Sequence, residues 1–113
     1  MHEFSLASEI VDMVEQAAKN AGKGKVTCIE LEIGELAGVE ESALLIALES
    51  LTLHSMSKGA QIITKNTKGK AICSNCNFEY ELQDLFTLCP KCSGFRKQII
   101  SGKEFNILSI EAE

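Results

Sequence analysis

Apolar residues recur every three or four positions over residues 4–20, which is the spacing of one face of an α-helix. Charged and amide side chains fill most of the positions between them. A stop signal follows, because either Gly22 or Gly24 can adopt the left-handed conformation that closes a helix. The pattern predicts an amphipathic first helix whose buried face is formed by Phe4, Ala7, Ile10, Val11, Val14, Ala17 and Ala18.

The hydrophobic period then shortens to two, where Ile29, Leu31 and Ile33 alternate with Glu30 and Glu32. A period of two is the spacing of side chains on one face of a β-strand. The alternation therefore predicts a half-buried strand with an acidic, solvated face.

The segment Gly-Glu-Leu-Ala-Gly at residues 34–38 interrupts this strand. Helical spacing resumes over residues 43–51. Glu40 and Glu41 come at the start of that spacing, where the helix dipole favours acidic side chains. A second helix is therefore predicted here.

Residues 60–67 and 104–112 predict two more strands. In the last of them, apolar residues occupy both faces, which predicts burial on both sides. The order of helix, strand, helix, strand, insertion and strand indicates an α/β (α+β) fold. In this fold, two helices cover one face of a small three-stranded sheet.

The insertion carries two Cys-x-x-Cys pairs, formed by Cys73, Cys76, Cys89 and Cys92. Each pair places two sulfur atoms on one side of a tight turn, and two such turns can supply the tetrahedral thiolates that zinc accepts. We expect a zinc-ribbon or knuckle subdomain at residues 70–100. It interrupts a domain made of residues 1–69 and 101–113.

The strand-like alternation of residues 78–82 predicts a short hairpin or ribbon between the two cysteine pairs. So short a segment cannot bury enough surface to fold unaided, but bound metal can contribute on the order of 10 kcal/mol to its folding. Four thiolates leave no open position for a substrate, so Zn(II) would be structural. Iron of the rubredoxin type fits the same ligands, whereas a redox disulfide lacks the βαβ context it needs.

Composition and charge exclude several classes of function. The chain has 113 residues, 45% of them hydrophobic, and a formal net charge of −5. This charge argues against nucleic acid or an anionic membrane as the main partner, since both are negatively charged. No apolar run reaches the roughly 20 residues of a membrane helix, and the N-terminus does not resemble a signal peptide. We therefore expect a cytoplasmic protein, in which cysteines indicate metal or redox chemistry.

The first three residues, Met1, His2 and Glu3, form a candidate chelate. The terminal amine, the amide nitrogen of His2 and its Nδ1 can close two small rings on one metal ion. Such nitrogen-rich, square-planar surroundings suit Ni(II) or Cu(II). Glu3, water or another protein could supply the fourth donor. The plainer alternative is a frayed helix end, and spacing alone favours it because one histidine is weak evidence for a ligand.

Several sequence motifs together resemble the HypA/HybF family of hydrogenase-maturation nickel chaperones. They are Met-His-Glu at residues 1–3, Ile-Gly-Glu-Leu-Ala-Gly-Val-Glu at 33–40, the two cysteine pairs, and Gly-Lys-Glu-Phe-Asn-Ile-Leu-Ser-Ile-Glu at 102–111. The resemblance runs from the first residue almost to the last. One departure is that Glu41 follows the Val-Glu pair, where the family often has proline.

The resemblance implies a non-enzymatic metallochaperone. Met1, His2 and Glu3 would hold Ni(II) as transferred cargo, and the four cysteines would hold structural zinc. The implied partners are a HypB-type nickel GTPase and the large subunit of [NiFe]-hydrogenase, with urease accessory proteins for some members. A homodimer is compatible with this role. Two alternatives from the cysteine pattern are a zinc-ribbon docking module without nickel transfer and a rubredoxin-like iron electron carrier.

Overall fold

The computed structural model describes residues 2–113. Its elements in chain order are α1 (His2–Asn20), β1 (Val26–Gly34), α2 (Glu41–Thr52), β2 (Gln61–Thr67), β3 (Gly69–Cys73), β4 (Glu79–Leu82), β5 (Lys97–Ser101) and β6 (Phe105–Ala112). The strands form two three-stranded sheets, in the orders β2-β1-β6 and β4-β3-β5. The predicted α/β class, with two helices and a three-stranded sheet, is confirmed, and the second sheet contains the predicted zinc-ribbon segment.

Helix α1 buries most of the predicted stripe, namely Ala7, Ile10, Val11, Val14 and Ala18. Phe4 and Ala17 are exposed, so the stripe is narrower at both ends than the periodicity predicted. The helix closes at Gly22, whose φ is +73°. The Gly22 N–H donates to the Lys19 carbonyl at 3.0 Å and the Lys23 N–H to the Ala18 carbonyl at 2.9 Å, which is the Schellman pattern.

Strand β1 shows the predicted two faces. Ile29, Leu31 and Ile33 are buried, whereas Glu30 and Glu32 are half-buried. The solvated face carries side-chain bonds between neighbouring strands. Thr67 Oγ1 on β2 donates to one Glu32 oxygen, and Asn106 Nδ2 on β6 donates to the other, each at 3.0 Å.

Strand β6 contradicts the prediction of burial on both sides. Its residues are half-buried or exposed, and Leu108 is 44% exposed. The reason lies in the sheet order, since β6 is an edge strand and the central position belongs to β1.

The chain divides into two compact units. The helical unit comprises Met1–Leu31, Val39–Thr64 and Ile107–Glu113, and the cysteine unit comprises Glu32–Gly38 and Lys65–Asn106. In the helical unit α1 packs against α2, which buries Leu44, Ala47 and Leu48. The boundaries predicted from the sequence, residues 70 and 100, stay a prediction.

The hairpin of the cysteine unit lies elsewhere than predicted. Strand β4 pairs in the antiparallel sense with β3, which precedes the first cysteine pair, and β5 pairs with the other edge of β3. The turn of the β3–β4 hairpin is therefore the first cysteine pair itself. Strand β4 was predicted from the sequence, whereas β3 and β5 were not, because apolar and polar residues do not alternate clearly in either of them.

A small apolar core supports this sheet. Ala71, Tyr80 and Leu82 are buried together with Cys73 and Cys89. Two of the candidate metal ligands thus belong to the packed interior. Neither described helix combines the length and the apolar character needed to cross a membrane.

Candidate metal centre and N-terminal site

The first cysteine pair forms a tight, hydrogen-bonded turn at the end of β3. The Cys73 N–H donates to the Phe78 carbonyl at 2.9 Å, and the Asn77 N–H donates to the Cys73 carbonyl at 2.9 Å. Asn77, which directly follows Cys76, has a φ of 61°. This left-handed residue turns the chain back toward β4.

The second pair repeats the same turn. The Cys89 N–H donates to the Gly94 carbonyl at 3.0 Å, and the Ser93 N–H donates to the Cys89 carbonyl at 2.8 Å. Ser93 directly follows Cys92 and has a φ of 63°. The two turns are therefore equivalent.

The role of the residue after each second cysteine was not predicted from the sequence. Asparagine tolerates the left-handed conformation better than most residues. Asn77 could therefore have indicated the left-handed turn from the sequence, whereas Ser93 could not.

The four sulfur atoms converge on one point. All Sγ atoms of Cys73, Cys76, Cys89 and Cys92 lie within 4.8 Å of one another. The Cys73–Cys92 and Cys76–Cys89 sulfur separations are 3.5 Å and 3.6 Å. A disulfide needs about 2.05 Å, whereas a tetrahedron with metal–sulfur bonds of about 2.3 Å needs sulfur separations of about 3.8 Å. The arrangement fits one tetrahedral metal ion.

The turns also favour thiolate over thiol at one ligand. Backbone N–H groups of Cys76 and Asn75 lower the pKa of Cys73 to about 6. The Gly94 N–H acts in the same direction on Cys92, but the other three sulfurs and burial outweigh it and raise the pKa of Cys92 to about 12. Four negative charges at this spacing repel one another, and a divalent cation removes that penalty.

The N-terminal candidates lie at the start of α1, apart from Met1, which is outside the described residues. The His2 side chain is 60% exposed, and its Nδ1 lies 3.4 Å from Glu3 Oε2. The same Glu3 oxygen accepts the Glu40 N–H at 3.2 Å. This N–H, the N–H of Glu3 and the His2 ring lower the pKa of the Glu3 carboxyl.

Glu40 thus ties the starts of both helices together. Its side chain accepts the Ser42 N–H at 3.1 Å and caps α2, while its own N–H holds Glu3. Helix α2 begins at Glu41, directly after this cap. The departure noted in the sequence therefore leaves a capped helix start.

The remaining chemically distinctive residues lie outside the sulfur cluster. Among the described residues, Cys28 is half-buried on β1 and His54 is exposed, and neither joins a metal-capable group. Glu35 in the Gly-Glu-Leu-Ala-Gly segment is exposed, and its carboxylate accepts the Gly69 N–H at 3.2 Å.

Comparison with known proteins agrees with this arrangement. A family model described as "Hydrogenase/urease nickel incorporation, metallochaperone, hypA" matches residues 1–112. The hydrogenase maturation factor HypA of Parabacteroides distasonis is 41% identical over 110 residues, covering 97% of this chain and 96% of the relative. That of Albidiferax ferrireducens is 34% identical over 113 residues, covering 100% of both chains.

Two solved structures share the fold. The solution structure of the nickel metallochaperone HypA from Helicobacter pylori has a TM-score of 0.67 and 25% identity, and covers 97% of this chain and 96% of its own. A second HypA solution structure has a TM-score of 0.69 and 25% identity, with coverages of 100% and 97%. The resemblance inferred from the sequence is confirmed: the chain belongs to the HypA family of metallochaperones for hydrogenase and urease nickel incorporation.

Proposed function

We propose that this protein binds Ni(II) through Met1, His2 and Glu3 and delivers it to [NiFe]-hydrogenase during maturation. The observation that carries the proposal is the family match, which includes these residues, together with the exposed His2 ring at the start of α1. Nickel is cargo in this role, so the site must be open enough to release it.

The helix start suits such a site for a physical reason. The first four N–H groups of an α-helix have no partner within the helix. The amide of His2, the first residue of α1, can therefore lose its proton to a metal without breaking a helical hydrogen bond. The terminal amine and the His2 Nδ1 complete the proposed chelate, in a geometry that Ni(II) prefers.

The Glu3 carboxylate supports the site electrostatically. Its Oε2 lies 3.4 Å from the His2 Nδ1 and accepts the Glu40 N–H, so a hydrogen bond within the protein holds the carboxylate beside the ring. A negative charge beside the ring favours a bound cation. Its carboxylate or amide is also a candidate fourth donor.

The four cysteines hold structural Zn(II) in this proposal. Their sulfur separations suit a tetrahedron, and all four positions are taken by protein ligands, which leaves none for a substrate. Zinc would supply folding free energy to the cysteine unit rather than catalysis. The protein acts as a chaperone and not as an enzyme.

The partners and location follow from the role. Nickel would be delivered in the cytoplasm, with a HypB-type GTPase, to the hydrogenase large subunit, and urease accessory proteins would be alternative recipients. A homodimer would present two N-terminal sites. These assignments rest on the family and on the hydrogenase and urease named in its description.

Nickel titration of the zinc-loaded, untagged protein tests the proposal. We expect one Ni(II) site of modest affinity in the unaltered chain and its loss in His2→Ala, with unchanged zinc content. The matched control is His54→Ala, which removes the other exposed histidine and should leave nickel affinity as it was. Equal calorimetric affinities for His2→Ala and the unaltered protein would refute the N-terminal site.

A further inference from the structure

The cysteine unit exposes large apolar side chains around its second cysteine turn. Leu85, Phe86 and Leu88 precede that turn and Phe95 follows it, and all four are exposed. Phe86 is the extreme case, with 77% of its surface in solvent. Such a concentration of apolar surface on a small protein is typical of an interaction site.

A hollow of about 400 Å³ lies within this region. We call it the ribbon hollow, and it is lined by Ser74, Leu85, Phe95, Arg96, Lys97 and Ile99. It combines three apolar side chains with two cationic ones, so its wall is both hydrophobic and positively charged.

One of the two cations is held in place. Lys97 Nζ donates to the Leu85 carbonyl at 3.1 Å and lies 4.0 Å from the centroid of the Phe95 ring. Neither Lys97 nor Arg96 forms an ion pair with a carboxylate anywhere in residues 2–113. A positioned ammonium beside apolar side chains, without an internal counter-ion, matches a negatively charged group presented on an apolar segment.

The local charge contrasts with that of the chain as a whole. The six residues that line the hollow include Arg96 and Lys97 and no acidic residue, although the chain has a net charge of −5. The complementary occupant is therefore acidic.

The occupant is also a protein rather than a nucleic acid. Half of the exposed apolar side chains around the hollow are leucines, which offer no face for base stacking. The lining of the hollow holds two cations, Arg96 and Lys97, which are too few to follow a phosphate backbone.

We propose that the ribbon hollow docks an acidic segment of a partner protein that carries leucine or phenylalanine beside its carboxylates. The site goes beyond nickel binding and does not rest on it, because every residue involved belongs to the cysteine unit. The second cysteine turn separates the leucines from Phe95 in the chain, so the metal-bound turn would keep both walls of the hollow in place.

A labelled peptide in which glutamates flank leucine and phenylalanine tests this site on the full-length, zinc-loaded protein. Fluorescence anisotropy should show saturable binding that weakens as salt is added. Chemical-shift mapping should confine the perturbed amides to residues 74 and 85–100. The same peptide with lysine in place of each glutamate should not bind.

Paired charge reversals identify the cations. Arg96→Glu with Lys97→Glu should weaken binding by about tenfold or more, since it places like charges opposite the peptide. Lys23→Glu with Lys58→Glu makes the same change in net charge at exposed positions of the helical unit and should leave the affinity unaltered. Phe86→Ser, which disturbs neither Lys97 contact, provides a second variant that should also weaken binding.

Four results would overturn the proposal. They are absence of saturable binding to the glutamate peptide, equal binding of the lysine peptide, equal affinities for the two charge-reversed proteins, and tighter binding of an oligouridine than of the peptide. Zinc content and melting temperature, measured on each variant, exclude misfolding as the cause of a loss.

Discussion

At the scale of single residues, the sulfur cluster is a balance between burial and charge. Cys73 is fully buried, yet backbone N–H groups lower its pKa to about 6. The surrounding sulfurs raise the pKa of the neighbouring Cys92 to about 12. The cluster therefore does not hold four thiolates at neutral pH on its own. A bound divalent ion would supply the missing positive charge, and it would thereby couple metal binding to folding of the cysteine unit.

Replacing one of the four cysteines should prevent metal binding and destabilise the cysteine unit. Cys73→Ser should lose stoichiometric zinc, measured by elemental analysis, and lower the melting temperature, measured by circular dichroism. Cys28→Ser is the matched control, because Cys28 is a free cysteine outside the cluster. Full zinc content with native melting in Cys73→Ser would exclude the proposed cage. A visible absorption band in the metal-loaded protein would indicate iron instead of zinc.

Glu3 makes a pH-dependent contribution to stability. Its pKa is lowered in the folded protein by the Glu40 N–H, its own N–H and His2. The ionised form is thus stabilised by folding, and the contribution is complete above the usual value of 4.5 and lost as the pH falls through the lowered folded value. Metal-free Glu3→Gln should melt below the unaltered protein at pH 7, and the difference should vanish in acid.

Glu9→Gln is the control for this titration, since Glu9 is an exposed glutamate on the same helix. A melting difference for Glu3→Gln that stays constant from pH 7 to pH 3 would show that the carboxylate charge is not what stabilises the helix start.

At the scale of elements, those defined by contacts between nearby residues were predicted from the sequence, and those defined by contacts between distant residues were not. Helix α1 and strand β1 were predicted within a few residues, because amphipathic periodicity is written in consecutive positions. Strands β3 and β5 were missed. Strand β3 pairs with β4 across the first cysteine turn and with β5 farther along the chain, and no local pattern encodes these pairings.

Gly102 lies at a position where the backbone leaves no room for a side chain. Its φ is +109°, its carbonyl accepts the Leu36 N–H at 2.7 Å, and an added Cβ would lie 2.6 Å from the Gly69 Cα. The Gly-Glu-Leu-Ala-Gly turn and the entrance to β3 therefore meet at a point that admits no side chain.

Adding a methyl group at this point should be costly. Gly102→Ala should lower the free energy of unfolding by about 3 kcal/mol, measured by urea denaturation, from backbone strain and overlap together. Gly38→Ala is the matched control, because Gly38 also has a positive φ, +73°, but nothing within 4 Å of an added Cβ. It should cost only about 1 kcal/mol. Equal costs would show that the crossing of the two segments is not tightly packed.

At the scale of the whole molecule, two compact units carry two kinds of candidate metal site. The helical unit holds the exposed His2 ring and the half-buried Glu3 carboxylate, and the cysteine unit holds four convergent sulfurs. A closed sulfur cage retains its ion, whereas an exposed terminal chelate can release one. This division suits a protein that must stay folded while its cargo leaves.

The metal sites were predictable from sequence to different degrees. The paired cysteines specify a site by spacing alone, and the structure brings all four together. The proposed N-terminal chelate could not be predicted from spacing, because its donors would be mostly backbone groups that every chain has. The contact between Glu3 and Glu40 was equally hidden, since it joins residues that periodicity places on separate helices.

Nickel X-ray absorption on the zinc-loaded protein with its native N-terminus tests the central claim most directly. The account predicts nitrogen and oxygen donors in a planar arrangement, without sulfur. It also predicts that acetylation of the terminal amine abolishes this spectrum, because the acetylated nitrogen can no longer bind the metal as an amine. A sulfur-dominated nickel environment, or a spectrum unchanged by acetylation of the terminal amine, would contradict the account.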